Sequence, residues 1–575
     1  MRPEAQRFLR PREALHRQYE ALRAFFVEEA SAAQVAARFG YTLHTVNALV
    51  RDFRKAPDVG AFFATRKPGR RPADDEVREE IVRLRKQNCS VYDIQAILSE
   101  GDIRLSYRAI ARLLRDEGFA RLPRRLDEER PPLGVAHPAE PPRADIEEQR
   151  YTPRTSLTTE GGGVFLFVPL LVELGFDQVV AKAGYPGSKA IPPLNYLLSA
   201  LAMKLLGKER WSHVMSVSFD AGLGLFAGLN VLPKTTALTT YSYRTHRGMN
   251  LRFLSQWVRR LRGTDLLPGR TFNLDFSPIP HRGRESVLER NYISKRSRAE
   301  KSMLTFLAQD GETRAFCYSN ATCLKRDRND EVLAFVDYWR KAYRRKPPHL
   351  VFDSKLTTYE VLGKLDAQGI LFITLRARGK RLVRDLASLP PSEWKTVRLD
   401  VPHREFQRPK VHESTFVTRP AALRLRQLAV RDLGHEQPTL LLTNDWASGP
   451  KEILARYAQR MLIENGIAEQ IGFFHFDALS SAIALPVDFD VTLTLVAHSL
   501  YKLLTHQLRG YETLTPKRAF RKVVDRRAHI HIGERGIEVV YPRLAYNPVL
   551  TAAGFEAAEV PVPWWGGRHL CFRFS

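Results

Sequence analysis

Through residues 1–120 the apolar positions recur at helical spacing, broken by short polar stretches that read as caps and turns. In residues 1–57, SAAQVAARFGYTLHTVNALVRDF predicts two helices: Ser31 as N-cap, Val35 and Phe39 inward, Gly40 at the turn and Thr42 capping the second helix. A second unit, residues 73–120, divides at Ser90 and Ser106 into three helices, the last carrying Arg108, Arg112 and Arg115. Between them, residues 58–72 hold Arg66, Lys67, Arg70 and Arg71 around Pro68–Gly69, a composition that cannot pack a core. Residues 121–163 are rich in proline and charge and predict an extended linker. From 164 to 268 the helical pattern returns in LNYLLSALAMKLLG and LRFLSQWVRRLR.

From residue 269 the period changes. RTFNLDFSPIPHRG reads as a strand running into Asp275 and then a turn at Pro278 and Pro280. SMLTFLAQDG and AFCYSNAT follow as two more strands, then a helix near Asp330–Tyr343, then PPHLVFDSKLTTYEVLGKL, a strand ending at Asp353 and a helix from about Thr357. The segment from about 376 to 438 has β character in EWKTVRLDV, STFVTR and LRLRQLAVR, and predicts an inserted antiparallel sheet that pairs its own backbone. It holds 14 Lys and Arg against 7 Asp and Glu, a local charge of +7. KEILARYAQRMLIENGIAEQIGFFHF reads as mostly helical, with Ile453, Tyr457 and Met461 inward and Tyr457, Arg460 and Glu464 on one face. The predicted class is α/β, preceded by two all-α helix-turn-helix DNA-binding units, residues 1–57 and 73–120.

Composition narrows the partner. The 575 residues carry 89 Lys and Arg against 63 Asp and Glu, a formal charge of +26 that attracts polyanions, nucleic acid first among them. No apolar run reaches the roughly 18 residues of a spanning helix, so no membrane is expected. The four cysteines lack zinc-type spacing and fit a reduced cytosolic compartment. The second helix of the first unit's helix-turn-helix would lie in a major groove, offering His44, Thr45, Asn47 and Arg51 to base edges or phosphates. The basic arm suits a minor groove. Clusters at Arg282 and Arg284, and at Arg340–Lys346, are expected beside the strand-end aspartates as a phosphate track.

An acid at the carboxyl end of a buried strand lies where open α/β sheets place ligands, and three carboxylates can hold two divalent cations for in-line phosphoryl displacement. Asp275, Asp353 and Glu464 are that trio. Hard oxygen donors select magnesium, with manganese as substitute. The alternative for Arg460 and Glu464 is a surface ion pair one helical turn apart. Asp445, after TLLLTN, is a rival strand-end acid.

The order Asp275, Asp353, Glu464, with Tyr457-x2-Arg460-x3-Glu464 around the last, resembles the bacterial insertion-sequence DDE transposases from about Gly161 onward. That resemblance implies a ribonuclease H-like mixed sheet over residues 269–575 with a β-rich insertion, and a helical subdomain over 164–268. It also implies metal-dependent strand cleavage and joining. Partners would be double-stranded DNA, both element ends and target, with two copies of the chain in the complex and a nucleoid-associated location. Tyr457 and Arg460 would contact DNA. The family motif continues with a Lys seven residues after the Glu, where this chain has Ile471; His475 is the substitute within reach of the same helix. A DNA-binding regulator that has lost catalysis and a nuclease without strand transfer are the other readings.

Overall fold

The computed structural model describes residues 14–57, 59, 62–63, 75–86, 89–101, 103–117, 119, 146, 151, 155–280, 289–293, 297–353, 356–399, 407–419, 422–434, 437–460, 462–477 and 484–575. The basic arm with Arg66, Lys67, Arg70 and Arg71, most of the proline-rich stretch and Arg282 and Arg284 lie outside them. The chain divides into two compact units, Met1–Pro142 and Arg143–Ser575.

In the first unit, helices Ala14–Phe26, Ala32–Phe39 and Leu43–Lys55 close over Leu22, Val35, Phe39, Val46 and Val50. Ser31 caps the second helix through a reciprocal capping box with Gln34, which satisfies two backbone N–H groups that helix geometry leaves orphaned. Gly40, at φ +70°, ends that helix, and the Thr42 hydroxyl accepts from the Thr45 N–H to start the next. Helices Asp75–Lys86, Val91–Glu100 and Tyr107–Asp116 form a second small core around Ile81, Ile94, Leu98 and Ile110, with Ser90 and Ser106 as caps.

The second unit is mixed α/β, its helices packed around two sheets. Its strands are β1 (Thr155–Thr159), β2 (Thr271–Pro280), β3 (Arg290–Ile293), β4 (Arg298–Asp310), β5 (Phe316–Cys323), β6 (His349–Phe352) and β7 (Leu371–Leu375). There follow β8 (Lys395–Thr396), β9 (Lys410–Val417), β10 (Arg424–Arg431), β11 (Thr439–Thr443), β12 (Ala528–Ile532), β13 (Gly536–Tyr541), β14 (Val560–Val562) and β15 (Arg568–Phe574). The larger sheet runs β3-β4-β2-β6-β7-β11-β10-β9-β8, with β5 on β4. β2 is antiparallel to β4 and parallel to β6, and β6 is parallel to β7, as crossover helices Glu331–Tyr343 and Tyr359–Ala367 require.

Three expectations are corrected here. β2 continues through Asp275 and both prolines to Pro280. β6 pairs it only as far as Leu274, so beyond that point β2 has one neighbour and a missing proline N–H is tolerated on the open side. Next, the β-rich segment is no separate sheet. β11 pairs with β7 on one side and β10 on the other, so β8–β11 extend the central sheet, and helix Lys380–Ala387 lies within the segment. Lastly, residues 155–163, assigned to the linker, are built into the fold. β1 pairs with β12 in a five-stranded sheet, β1-β12-β13-β15-β14, and a Cβ on Gly163 would stand 1.9 Å from the Val524 carbonyl oxygen. No single described helix is long and apolar enough to cross a membrane.

The glycines at 222, 224 and 228 have packing roles: Gly224 lets helix Ala221–Phe226 press on the Asn230 backbone, and Gly228 adopts φ +71°. Helix Ala484–Gln507 runs through the core and carries His498, fully buried between the rings of Phe316 and Phe474 with neither ring nitrogen hydrogen-bonded. Burial, then the nearby Lys502 ammonium, holds its pKa well below the usual histidine value. The folded state therefore keeps His498 neutral while the unfolded chain protonates near pH 6.5. Stability falls as pH drops below that value, by about 1.4 kcal/mol per unit from this group. His498→Leu should flatten that slope. Urea unfolding of both proteins at neutral and mildly acidic pH checks it; equal losses on acidification would refute the assignment.

Candidate active site

The parallel register decides where the acids meet. Leu274 of β2 pairs with Phe352 of β6, so the next residues, Asp275 and Asp353, stand side by side where β6 stops. Helix Pro450–Arg460 and helix Leu462–Phe474 follow β11 and bring Arg460 and Glu464 to the same place. Asn273 ties the first of these helices to β2 by donating to the Gln459 carbonyl at 3.5 Å. Gly466 lets the second approach: a Cβ there would lie 2.4 Å from Gln309 Nε2.

Arg460 Nη2 is 3.2 Å from Asp275 Oδ2, in a pair whose side chains are 9% and 17% exposed. Asp275 Oδ1 also accepts from the Phe276 N–H at 2.9 Å. Burial pushes the Asp275 carboxyl up to about 6; Arg460 opposes this, while the negative charges of Glu464 and Asp353 add to it. Burial works against the charge of Arg460, but Asp275, Tyr457, Asp353 and Glu464 together hold its pKa above the ordinary guanidinium value. Tyr457 is raised mainly by burial, and its hydroxyl is hydrogen-bonded to Arg460. The five sequence-selected residues thus share one electrostatic cluster. Arg460 reaches across to Asp275 in an ion pair, where the sequence suggested a pair within its own helix.

The carboxylates suit a hard divalent cation in chemistry: oxygen donors only, a buried aspartate whose proton affinity is raised partly by its acidic neighbours, and an exposed glutamate that acts on that aspartate. As the side chains stand, no three His, Cys, Asp or Glu among the described residues are close enough to hold a metal ion.

The rivals have structural roles. Asp445 lies at the other end of the sheet, since β11 runs antiparallel to β7; it pairs with Arg456 at 3.0 Å and accepts from the Ala447 and Ser448 N–H groups. Asp310 accepts from Gly269, Glu312 and Thr313 N–H groups and so holds the β4–β5 turn. His475, at φ +54°, ends its helix with Nε2 3.2 Å from the Gly207 carbonyl oxygen, which argues against it as the substitute for the family lysine. Ile471 packs against the main core. The cluster Arg340–Lys346 is misplaced in the sequence reading. It precedes β6, whose far end carries Asp353, so the two are separated by the strand's length.

Arg51 and Arg112 are exposed on their helices; Arg51 pairs with Asp52 at 3.0 Å. Cys317 and Cys323 are buried and unbridged. The residue that sequence reasoning missed is Asp488. It is fully buried and accepts from Arg247 at 2.8 Å, Asn250 at 2.8 Å and the Ala321 N–H at 3.1 Å, and the helical spacing around it carried no signal of these distant partners. No protein-family model matches this chain, and no curated protein sequence is similar to it.

Proposed function

We propose that this chain is a DNA transposase of the DDE type with a ribonuclease H-like core. The observation that carries the reading is the register that sets Asp275 beside Asp353, with Glu464 and Arg460 arriving on the helices after β11. Three meander strands followed by two parallel ones through helical crossovers support the core assignment. Asp275, Asp353 and Glu464 would hold magnesium, or manganese in its place, and the cations would supply charge neutralisation at the scissile phosphate and a deprotonated oxygen nucleophile.

The chain's own residues orient and neutralise. Arg460 would exchange Asp275 for the non-bridging oxygens of a phosphate, which can accept from its guanidinium in bidentate fashion. Tyr457 would hydrogen-bond the DNA backbone beside it. A water oxygen forms the new P–O bond as the bridging P–O3′ bond breaks, leaving a 3′ hydroxyl. That hydroxyl then attacks target DNA in the same way. The test is incubation of the purified chain and magnesium with DNA carrying the sequences that flank its gene. Nicks with 3′ hydroxyl ends, followed by joining to a second duplex, support the reading; intact DNA sinks it.

The two helical cores of the first unit support end recognition, with Arg51 and Arg112 on exposed faces. Arg51→Ala and Arg112→Ala in the full chain should each weaken end binding by about 1–3 kcal/mol if the side chain reads a base edge. Unchanged specificity in a gel-shift series against mismatched ends would remove both from the reading surface. Ile471, in place of the family lysine, favours the regulator without catalysis as the second reading.

A further inference from the structure

We propose that the end of the central sheet opposite the acids is a second contact surface for duplex DNA, centred on Arg262, Tyr343 and Arg345. β2 and β6 start together there, with Thr271 paired to His349. Four residues of β6, about 13 Å at strand spacing, separate that end from Asp353. No DNA group bound on this surface can be the phosphate held at Asp275 and Asp353.

The surface is cationic, and most of its charges are anchored without being cancelled; Arg340, paired with Asp337, is an exception. Five of the seven residues in Arg340–Lys346 are basic, and all five are exposed. Arg344 at φ +60° ends helix Glu331–Tyr343 and turns the chain. Arg345 Nη2 donates to the Pro268 carbonyl at 2.9 Å. From the adjoining helix Arg247–Leu261, Arg259 donates to the Ala342 carbonyl at 3.2 Å and the Lys341 carbonyl at 2.9 Å. A guanidinium fixed by neutral carbonyls keeps its full charge and its remaining N–H donors for an outside acceptor.

An aromatic base sits beneath them. Tyr343 stacks on Trp339 with ring centroids 4.0 Å apart, and the guanidinium carbons of Arg262 and Arg345 lie 5.8 and 5.7 Å from the Tyr343 ring centre. Gly269 makes room for this stack, since a Cβ there would lie 2.7 Å from the Trp339 ring. The two arginines open onto a cavity of 480 Å³ that also meets Asp265, Glu312 and Thr313. Glu312 is 3.9 Å from Arg270, and Asp337 pairs with Arg340 at 2.7 Å. The eight cations here (the five, with Arg259, Arg262 and Arg270) against Asp265, Glu312 and Asp337 leave 8 − 3 = +5.

Rigid guanidiniums over an open, polar cavity match the repeated phosphates of a duplex backbone. A second copy of this chain is the poorer occupant, because each copy carries +26. The inference rests on the transposase reading only for its choice of duplex DNA as the polyanion.

The test is fluorescence anisotropy of the full chain on a random-sequence duplex across a salt series, comparing wild type with the double variant Arg262→Gln, Arg345→Gln. Loss of two phosphate contacts should make the log affinity against log salt slope shallower by about 2, while cleavage at the acids of a short end duplex is unchanged. Lys341→Gln with Arg344→Gln, which removes no backbone anchor, provides a second pair should the first lower thermal stability. An unmoved slope in both pairs, in a protein that still binds and cuts DNA, overturns the surface and spares the transposase reading. Absence of any duplex binding by the wild type overturns both. If instead the slope stays and sedimentation shows that the variants lose a dimer, the face belongs to a second copy and the proposal fails.

Discussion

Replacing Asp275, Asp353 or Glu464 by its amide is expected to cut magnesium-dependent strand cleavage by about 10³-fold or more, with end binding intact. The size follows from the chemistry. A metal pair supplies several kcal/mol of charge stabilisation at the transferring phosphate, and each 1.4 kcal/mol is a factor of ten in rate. An amide keeps the side-chain volume but gives up the charge that would hold the cation. For Asp275 the substitution also removes the partner of Arg460, which is only 9% exposed in that pair. A single-turnover cleavage assay beside a gel shift separates the effects. Any of the three variants cutting at a rate comparable to wild type removes that residue from the catalytic set.

Asp488→Ala is expected to destabilise the larger unit by about 3–5 kcal/mol, the usual cost of stranding a buried charge. Asp488 fastens helix Ala484–Gln507 to helix Arg247–Leu261 through Arg247 and Asn250, and to β5 through the Ala321 N–H. Arg247 Nη2 is already buried without a hydrogen-bond partner, and loss of Asp488 would remove the carboxylate that acts most strongly on this guanidinium, leaving Glu331 as the remaining acid in its field. Joint replacement, Arg247→Met with Asp488→Leu, should recover part of the loss because it removes both charges. Urea unfolding followed by tryptophan fluorescence measures both. A double variant less stable than Asp488→Ala alone would mean that the packing around the pair matters more than its charge.

Local features were legible in the sequence because their physics is local. Ser31, Gly40 and Thr42 mark helix ends by satisfying backbone groups within three residues, and no distant partner is needed to read them. The three acids were legible for a related reason: each sits in a short stretch whose apolar run, turn or helical spacing announces a strand end or a helix face. Asp275 shows where that reading stops. Its strand runs on to Pro280, and what makes it a site residue is the end of the neighbouring strand β6, about 80 residues further along the chain.

The same boundary separates the rest. β1 looks like linker because TSLTT has no core-forming pattern of its own; its backbone is satisfied by β12, far along the chain. The β-rich segment looked self-contained because alternation shows which residues are strands but not which strands pair, and β11 joins it to β7. Asp445 appeared a rival because it ends a strand, and Arg340–Lys346 appeared beside the acids by sequence proximity, yet strand direction sends both to the other end of the sheet. By itself, then, the sequence determined the caps, the helix and strand types, the +26 charge and the identities of the acids, all set by short-range chemistry and composition. Only the tertiary structure decided which acids meet, that Arg460 pairs with Asp275, and that the basic segment faces away from them, because backbone pairing between distant strands sets direction and register.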